Sequence, residues 1–303
     1  MGSTNHTTKR KKKFFRRNRL GIAAFVVLLI GVVCGGLQYS DFVSRTIYKE
    51  SVSHLTEVFH QSNNLLSELA DKNLTYLHMW SEYLTNTSDE SEIREYIDKA
   101  QEEAGFLSFY FLSADGNYKM ATGKTGYLGL QENLEDEIRQ GKDLITNVAL
   151  PGKSQMLVFV SPRAYGTYQG FEYDAIAIAY ENADIVKVLD ISAFQGNAKS
   201  YVVHSDGRVV IDHSNESWGT VYNFFGVLRE HSDISEEIIL ELSDQFKEGR
   251  TDAMLVKLDG KDYYLVYEKS KIQDWTLLGL VPTDIVNTSM NTLQFTTMLL
   301  VGA

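Results

Sequence analysis

A single cysteine and three prolines in 303 residues set the first limits. Cys34 alone can form neither an intrachain disulfide framework nor a cysteine-based zinc site. Residues 40–104 contain no glycine and no proline, so no local signal breaks a helix across them. Acidic residues are missing ahead of Asp41, where Lys9, Arg10, Lys11, Lys12, Lys13, Arg16, Arg17 and Arg19 stand instead. With those eight set aside, the 29 basic residues fall to 21 against 40 acidic ones, and so acidic a body is a poor nucleic-acid binder. No Gly-x-Ser-x-Gly, no His-Glu-x-x-His and no glycine-rich phosphate loop is present. Wholesale disorder is excluded, since 44% of the residues are hydrophobic and 12% aromatic.

The basic cluster leads straight into an apolar run, Leu20 to Leu37. About 20 apolar residues span a bilayer, with Phe14, Phe15 and Tyr39 suited to its interfaces. The run is longer than a signal-peptide core and ends without a good cleavage site, so it reads as an uncleaved anchor. Positive flanks stay inside, which places residues 1–19 in the cytoplasm and 40 to about 290 outside the cell membrane. A second apolar run, Phe295 to Ala303, is too short to cross and reads as the start of a second span.

From Tyr48 apolar residues recur by fours and threes through Val52, Leu55, Phe59, Leu66, Leu69, Tyr76, Trp80 and Tyr83, with Ser62 and Asn73 in the same series. That is a heptad seam on a helix of about 45 residues, roughly 67 Å long. Its membrane-near part is expected to pair with a second copy as a parallel homodimer, its distal part to pack on its own domain.

Strand signals then occur twice in one order. Phe109–Met120 and Tyr201–Ile211 each fold at an Asp-Gly, at 115–116 and 206–207. Such a dipeptide between β-formers predicts a two-residue type I′ hairpin. Leu150–Phe159 aligns with Leu258–Tyr267, and the strand before Asp184-Ile-Val186 aligns with the strand before Asp284-Ile-Val286. The offsets are 91, 108 and 100, with helical stretches Gln131–Arg139 and Ser235–Phe246 between the hairpins. This is a tandem duplication of a five-stranded antiparallel sheet with a helical crossover, an α+β arrangement. A cleft beneath each crossover could hold a small ligand.

A two-residue turn at 115–116 puts Phe109, Phe111, Tyr118 and Met120 on one face as core, and Ser108, Tyr110, Asn117 and Lys119 on the other. The same logic at 206–207 sets His204 opposite Val209, Val202 opposite Ile211 and Ser200 opposite His213. His204 and His213 are then roughly 13 Å apart, too far to share a metal with Asp206 or Asp212. Asp115 and Asp206 are turn residues. No catalytic residue, metal site or cofactor is expected.

A first span, a long helix, two PAS-like units and a second span together resemble the double Cache extracytoplasmic sensor domains of bacterial transmembrane receptors. The resemblance covers roughly residues 20–303. It implies a tail at 1–19, a transmembrane helix at 20–39, a signalling helix at 40–85, a membrane-distal unit at 86–192, a membrane-proximal unit at 193–288 and a truncated second span at 289–303. It further implies a small-molecule ligand in the distal unit, and signalling across the bilayer to a histidine kinase or diguanylate cyclase module beyond Ala303. Within that unit Tyr110, Lys119, Tyr127, Tyr165, Tyr168 and Asp174 are the expected ligand contacts. Many amino-acid-binding members carry an Arg-x-Trp-Tyr cluster between the first hairpin and the second, but Gly126–Met156 holds Arg139 as its sole arginine and no tryptophan. The run Gly166–Ala179 looks like sensor regions of gut Firmicutes. A membrane-tethered hydrolase or an adhesion protein is the second reading, which the coding frame after Ala303 separates from the first.

Overall fold

The computed structural model describes residues 5–128, 134–149, 155–189, 197–213 and 221–286; before residue 48, side chains are described only at 38, 42, 45 and 46. The chain divides into two units, Met1–Ser51 and Val52–Ala303. Helix α1, Asn5–Asn86, begins in the first, where Thr46 Oγ1 donates to the Phe42 carbonyl at 2.9 Å. The side chains of the expected span at 20–39, Gln38 excepted, and the run at 289–303 lie outside the described residues. Among those described, no helix is long and apolar enough to cross a membrane.

In the second unit α1 buries Leu55, Phe59, Leu66, Ala70, Leu77, Trp80 and Leu84, with Ser62 and Asn73 in the same stripe. The buried positions advance by three or four and drift from the expected Leu69, Tyr76 and Tyr83 to Ala70, Leu77 and Leu84. That drift is the 3.6-residue period of a straight helix rather than the 3.5 of a supercoil. From Leu55 onward the seam packs inside its own chain. Asn73, expected to set register, instead accepts from the Tyr180 hydroxyl at 2.7 Å, and burial pushes that phenol up to about 12. Helix α2, Glu90–Ala104, starts at Asp89, whose carboxylate accepts from the Ser91 and Glu92 amides, and stops at Gly105 with φ 72°.

Strands β1 (Ser108–Leu112), β2 (Asn117–Met120), β3 (Thr125–Tyr127), β4 (Leu144–Ala149), β5 (Gln155–Ser161) and β8 (Ala175–Glu181) form a six-stranded sheet ordered β3-β2-β1-β8-β5-β4. The short hairpin of β6 (Gly166–Tyr168) and β7 (Phe171–Tyr173) stands apart from it. Helix α3, Leu134–Arg139, lies in the crossover, and α4, Asn182–Leu189, follows β8. The second sheet uses β9 (Lys199–Val203), β10 (Val209–His213), β11 (Asp252–Leu258), β12 (Lys261–Lys269) and β13 (Thr276–Pro282) in the order β10-β9-β13-β12-β11. Without β3 the two orders are the same, so the duplication is a duplication of topology. Its crossover holds α5 (Phe224–His231), capped by Asn223, and α6 (Glu236–Glu248), capped by Ser235.

Three expectations need correction. The distal sheet has six strands, because β3 adds to the edge of β2. The turn at 115–116 is a three-residue loop: the Ser113 amide donates to the Asn117 carbonyl, and only Gly116 has positive φ, 87°. One extra loop residue shifts the register, so Tyr110 pairs with Met120, Phe111 with Lys119 and Leu112 with Tyr118. Tyr110 therefore shares a face with Tyr118 and Met120, and Phe111 shares one with Lys119. The second hairpin also closes early, pairing Val203 with Val209, then recovers the expected Val202–Ile211 and Ser200–His213 pairs through an irregularity after Val209. The I′ turn occurs elsewhere, at Asp259-Gly260, where φ is 49° and 77°.

Candidate functional site in the distal unit

Each sheet has one face against α1 and one toward its crossover. On the α1 side of the distal sheet, Trp80 meets Phe106 edge-on and Phe109 at a tilt, and Phe111 stacks on Tyr168 at 4.2 Å. On the crossover side lie Tyr110, Leu112, Tyr118, Leu128, Ile138, Met156, Val158, Val160 and the alanines 175, 177 and 179.

Register makes the two crossover faces comparable residue by residue. Tyr110 pairs with Ala177, and Ala177 with Val160; in the second sheet Tyr201 pairs with Leu278, and Leu278 with Tyr267. Val158 pairs with Ala179 where Leu265 pairs with Leu280. Tyrosine answers tyrosine, but the distal sheet carries alanine and valine where the proximal one carries leucine and tyrosine. Phe224, Leu228 and Phe246 of α5 and α6 then fill the proximal face. The distal crossover brings Ile138 from a helix of six residues.

A cleft of about 620 Å³ opens at the tip of the distal sheet, between the β1–β2 turn, β3 and the β6–β7 hairpin. Ser113, Asp115, Asn117, Thr125 and Glu172 give it polar groups, and Tyr118 and Phe171 give it aromatic ones. That volume suits a small molecule. Tyr118 belongs to the crossover face as well, and its ring meets Tyr110 edge-on at 4.8 Å. It can lie there because residue 126 is glycine: a Cβ would stand 2.5 Å from the Tyr118 hydroxyl oxygen. The hydroxyl of Ser113 donates to Asp115 and, with the Asn117 amide, holds that carboxyl below its usual range.

The six expected contacts do not form one cage. Tyr110 is buried on the crossover face, where burial pushes its phenol up. Tyr168 is buried on the opposite face, its hydroxyl donating to the Ala121 carbonyl at 3.3 Å. Lys119 Nζ donates to the Gln169 carbonyl at 2.6 Å and ties β2 to the β6–β7 turn. Tyr127 is 60% exposed beside the cleft, its ring over Gly116, while Tyr165 is 81% exposed. Asp174 accepts from the Ala114 amide at 2.8 Å. Its counterpart Asp274 accepts from the Ser205 amide at 3.2 Å, so this contact is a device of the repeat itself. Tyr118, Thr125, Phe171 and Glu172 line the cleft and were not among the six; a three-residue loop at 114–116 would have put Tyr118 on the face of Tyr110. Arg139 is spent on Glu135, to which its Nε donates at 3.0 Å. His204 faces Asp274 at 2.7 Å, and among the described residues no group of three His, Cys, Asp or Glu could hold a metal.

No family model and no curated protein matches the chain. Solved structures do. The extracellular domain of the candidate histidine kinase mmHK1S-Z3 is similar with a TM-score of 0.53 at 14% identity, over 82% of this chain and 98% of that one. The ligand-binding domain of the Pseudomonas aeruginosa amino-acid chemoreceptor PctC, in complex with GABA, gives 0.53 at 12%, over 76% and 99%. The sensory domain of the Campylobacter jejuni chemoreceptor Tlp3, with isoleucine bound, gives 0.51 at 10%, over 81% and 98%. The chain thus has the double Cache fold of extracellular sensory domains. Nothing in these matches supports a Firmicutes origin.

Proposed function

We propose that the chain is the extracytoplasmic sensing region of a membrane receptor, binding a small polar molecule in its distal unit. The observation that carries this is the cleft of about 620 Å³ at the distal sheet tip, where Ser113, Asp115, Asn117, Thr125 and Glu172 stand beside Tyr118 and Phe171. Tyr118 is the floor of the site with Tyr110 behind it, Asn117 and Thr125 supply hydrogen bonds, and Tyr127 stands at the rim. Lys119 and Asp174 hold the walls, and Tyr168 positions the β6–β7 hairpin from behind; Tyr165 stands away from the site. The unit boundaries follow as 86–192 and 193–288, with the bilayer crossed at 20–39 and again from 289, residues 1–19 inside, and an output module, a histidine kinase or a diguanylate cyclase, after residue 303. A parallel homodimer pairs through α1 ahead of Leu55, since the seam beyond is used within the chain.

The test is a thermal-shift screen of amino acids, organic acids and amines. A compound that raises the melting temperature of the wild-type chain should do so no longer in Asn117→Ala and Thr125→Val, two cleft variants that keep the core. A full shift in both removes the ligand from the distal cleft.

A further inference from the structure

Two sheet edges meet where the distal and proximal sheets come together: β4, the end strand of the one, and β10, the end strand of the other. An edge strand leaves backbone groups on its outer side without a ladder. Here amide side chains stand in for the ladder, one from each sheet region. The Gln273 amide nitrogen donates to the Ile145 carbonyl of β4 at 3.1 Å, and its oxygen accepts from the Ile145 amide at 2.9 Å. Asn147, two residues along β4, donates to the Val209 carbonyl of β10 at 3.2 Å. A carboxamide carries the donor and the acceptor of a peptide group, so it can serve an edge as a strand would.

Both contacts rest on irregularities of the proximal sheet. Gln273 has φ 45°, a left-handed backbone that a residue with a Cβ adopts at a cost. Its loop is fixed on both sides: the Ser270 amide donates to the Trp275 carbonyl at 2.9 Å, and Asp274 accepts from the Ser205 hydroxyl at 3.0 Å. Val209 is where the β9–β10 register shifts. It is also the counterpart of Tyr118, since the Leu112–Tyr118 pair matches the Val203–Val209 pair. Tyr118 is covered by β3 through its pair with Gly126, whereas on β10 that ladder is reduced, among the described residues, to the bridge Arg208–Asn223. The edge that β3 covers in the distal copy receives Asn147 in the proximal one.

We propose that this reciprocal pair of amides is a joint that couples the two sheets, so that a change in the packing of either one reaches the other through β4. Hydrogen bonds to two rigid strand edges are a contiguous physical link of the kind that carries such coupling. Gln273 and Asn147 are its positioning residues. Neither lines the distal cleft, and the joint holds whatever that cleft binds.

Hydrogen exchange of the whole 303-residue chain, read by mass spectrometry, tests this. Phe246→Leu is the probe, a mild cavity under the proximal crossover, with Ile239→Val in its place if that variant does not fold. In the otherwise wild-type chain the probe should speed exchange in β12 and β13, and also in β5 and β8 of the distal sheet. Adding Gln273→Gly and Asn147→Ala should cut the distal acceleration about tenfold or more, the worth of three ordinary hydrogen bonds, and leave the proximal acceleration in place. Glycine suits the left-handed backbone at 273, so the loop itself should keep its protection. No distal acceleration in the wild-type background overturns the proposal. So does an acceleration that survives both amide variants, which would assign the coupling to α1. A Gln273→Gly variant that loosens only the loop at 270–275, with β4 and the distal response unchanged, makes the amide a local brace and overturns it too.

Discussion

The two sheets share one strand order and differ in what stands on it. The distal crossover face is built on three alanines with valines beside them; the proximal one on Leu278, Leu280, Leu265 and Tyr267 under two helices. Both faces are buried; the distal one carries small side chains, the proximal one large ones that form a plug with α5 and α6. The α1 sides invert the contrast. There the distal sheet is aromatic, through Phe109, Phe111 and Tyr180, whereas the proximal sheet admits a buried carboxylate and a glycine. Gly279 is needed because the Phe59 ring lies where a Cβ would be, 1.8 Å away.

The largest effect should come from emptying the plug. Phe246→Ala is expected to cost about 3–5 kcal/mol, the usual cost of a buried Phe-to-Ala change, read as a lower denaturation midpoint by circular dichroism. A change below 1 kcal/mol would mean that the proximal face is not the tighter of the two.

Making the distal face proximal is the converse. Ala177→Leu copies Leu278 and should cost about 1–3 kcal/mol by overpacking, and should also remove any ligand-dependent rise in melting temperature. A variant that folds at full stability and keeps the shift would break the link between small side chains and binding.

Acid should act on both units through their turn aspartates. His204, and then Ser205, hold Asp274 well below the usual carboxylate range, and Ser113 does the same for Asp115. A depressed carboxyl contributes stability above its unfolded value of about 3.9 and loses it as pH falls through the folded value. Stability should thus decline below about pH 4, and Asp274→Asn should flatten that decline more than Asp115→Asn, because Asp274 engages a histidine as well as Ser205. Equal slopes in urea titrations at pH 3 and 6 would contradict this. Smallest of all, Tyr165→Ala should shift the denaturation midpoint by less than about 0.5 kcal/mol, since the side chain is mostly exposed.

Much of this architecture was legible. The glycine-free stretch gave the helix, and the Asp-Gly pairs and the Asp-Ile-Val closings marked two copies of one unit in the right order. The helical stretch expected at Ser235–Phe246 is α6, with Ser235 as its cap. The register was not legible, because Asp-Gly suits a two-residue turn at 259–260 and a three-residue loop at 115–116 equally well. With a strand period of two, that single residue moved Tyr118 and Met120 from the face of Phe109 and Phe111 to that of Tyr110, and Lys119 the other way. The alignment of the copies slipped likewise: the offset of 100 sets Ala177 beside Leu277, whereas the sheets equate it with Leu278.

By itself the sequence determined the long helix, the main hairpins of both sheets, that the unit occurs twice, and where apolar runs flank it. Those features are written in local periodicity and turn chemistry, which neighbours along the chain settle among themselves. The tertiary structure alone decided which face of each strand meets the crossover, that Tyr110 lies beside Ala177 as Tyr201 lies beside Leu278, and that Glu268 lies beneath α1 beside His60 and Asn63. Those two helix residues stand more than 200 positions from Glu268 in the chain. No local pattern can register a contact at that separation, because only the packing of α1 on the second sheet brings the groups together.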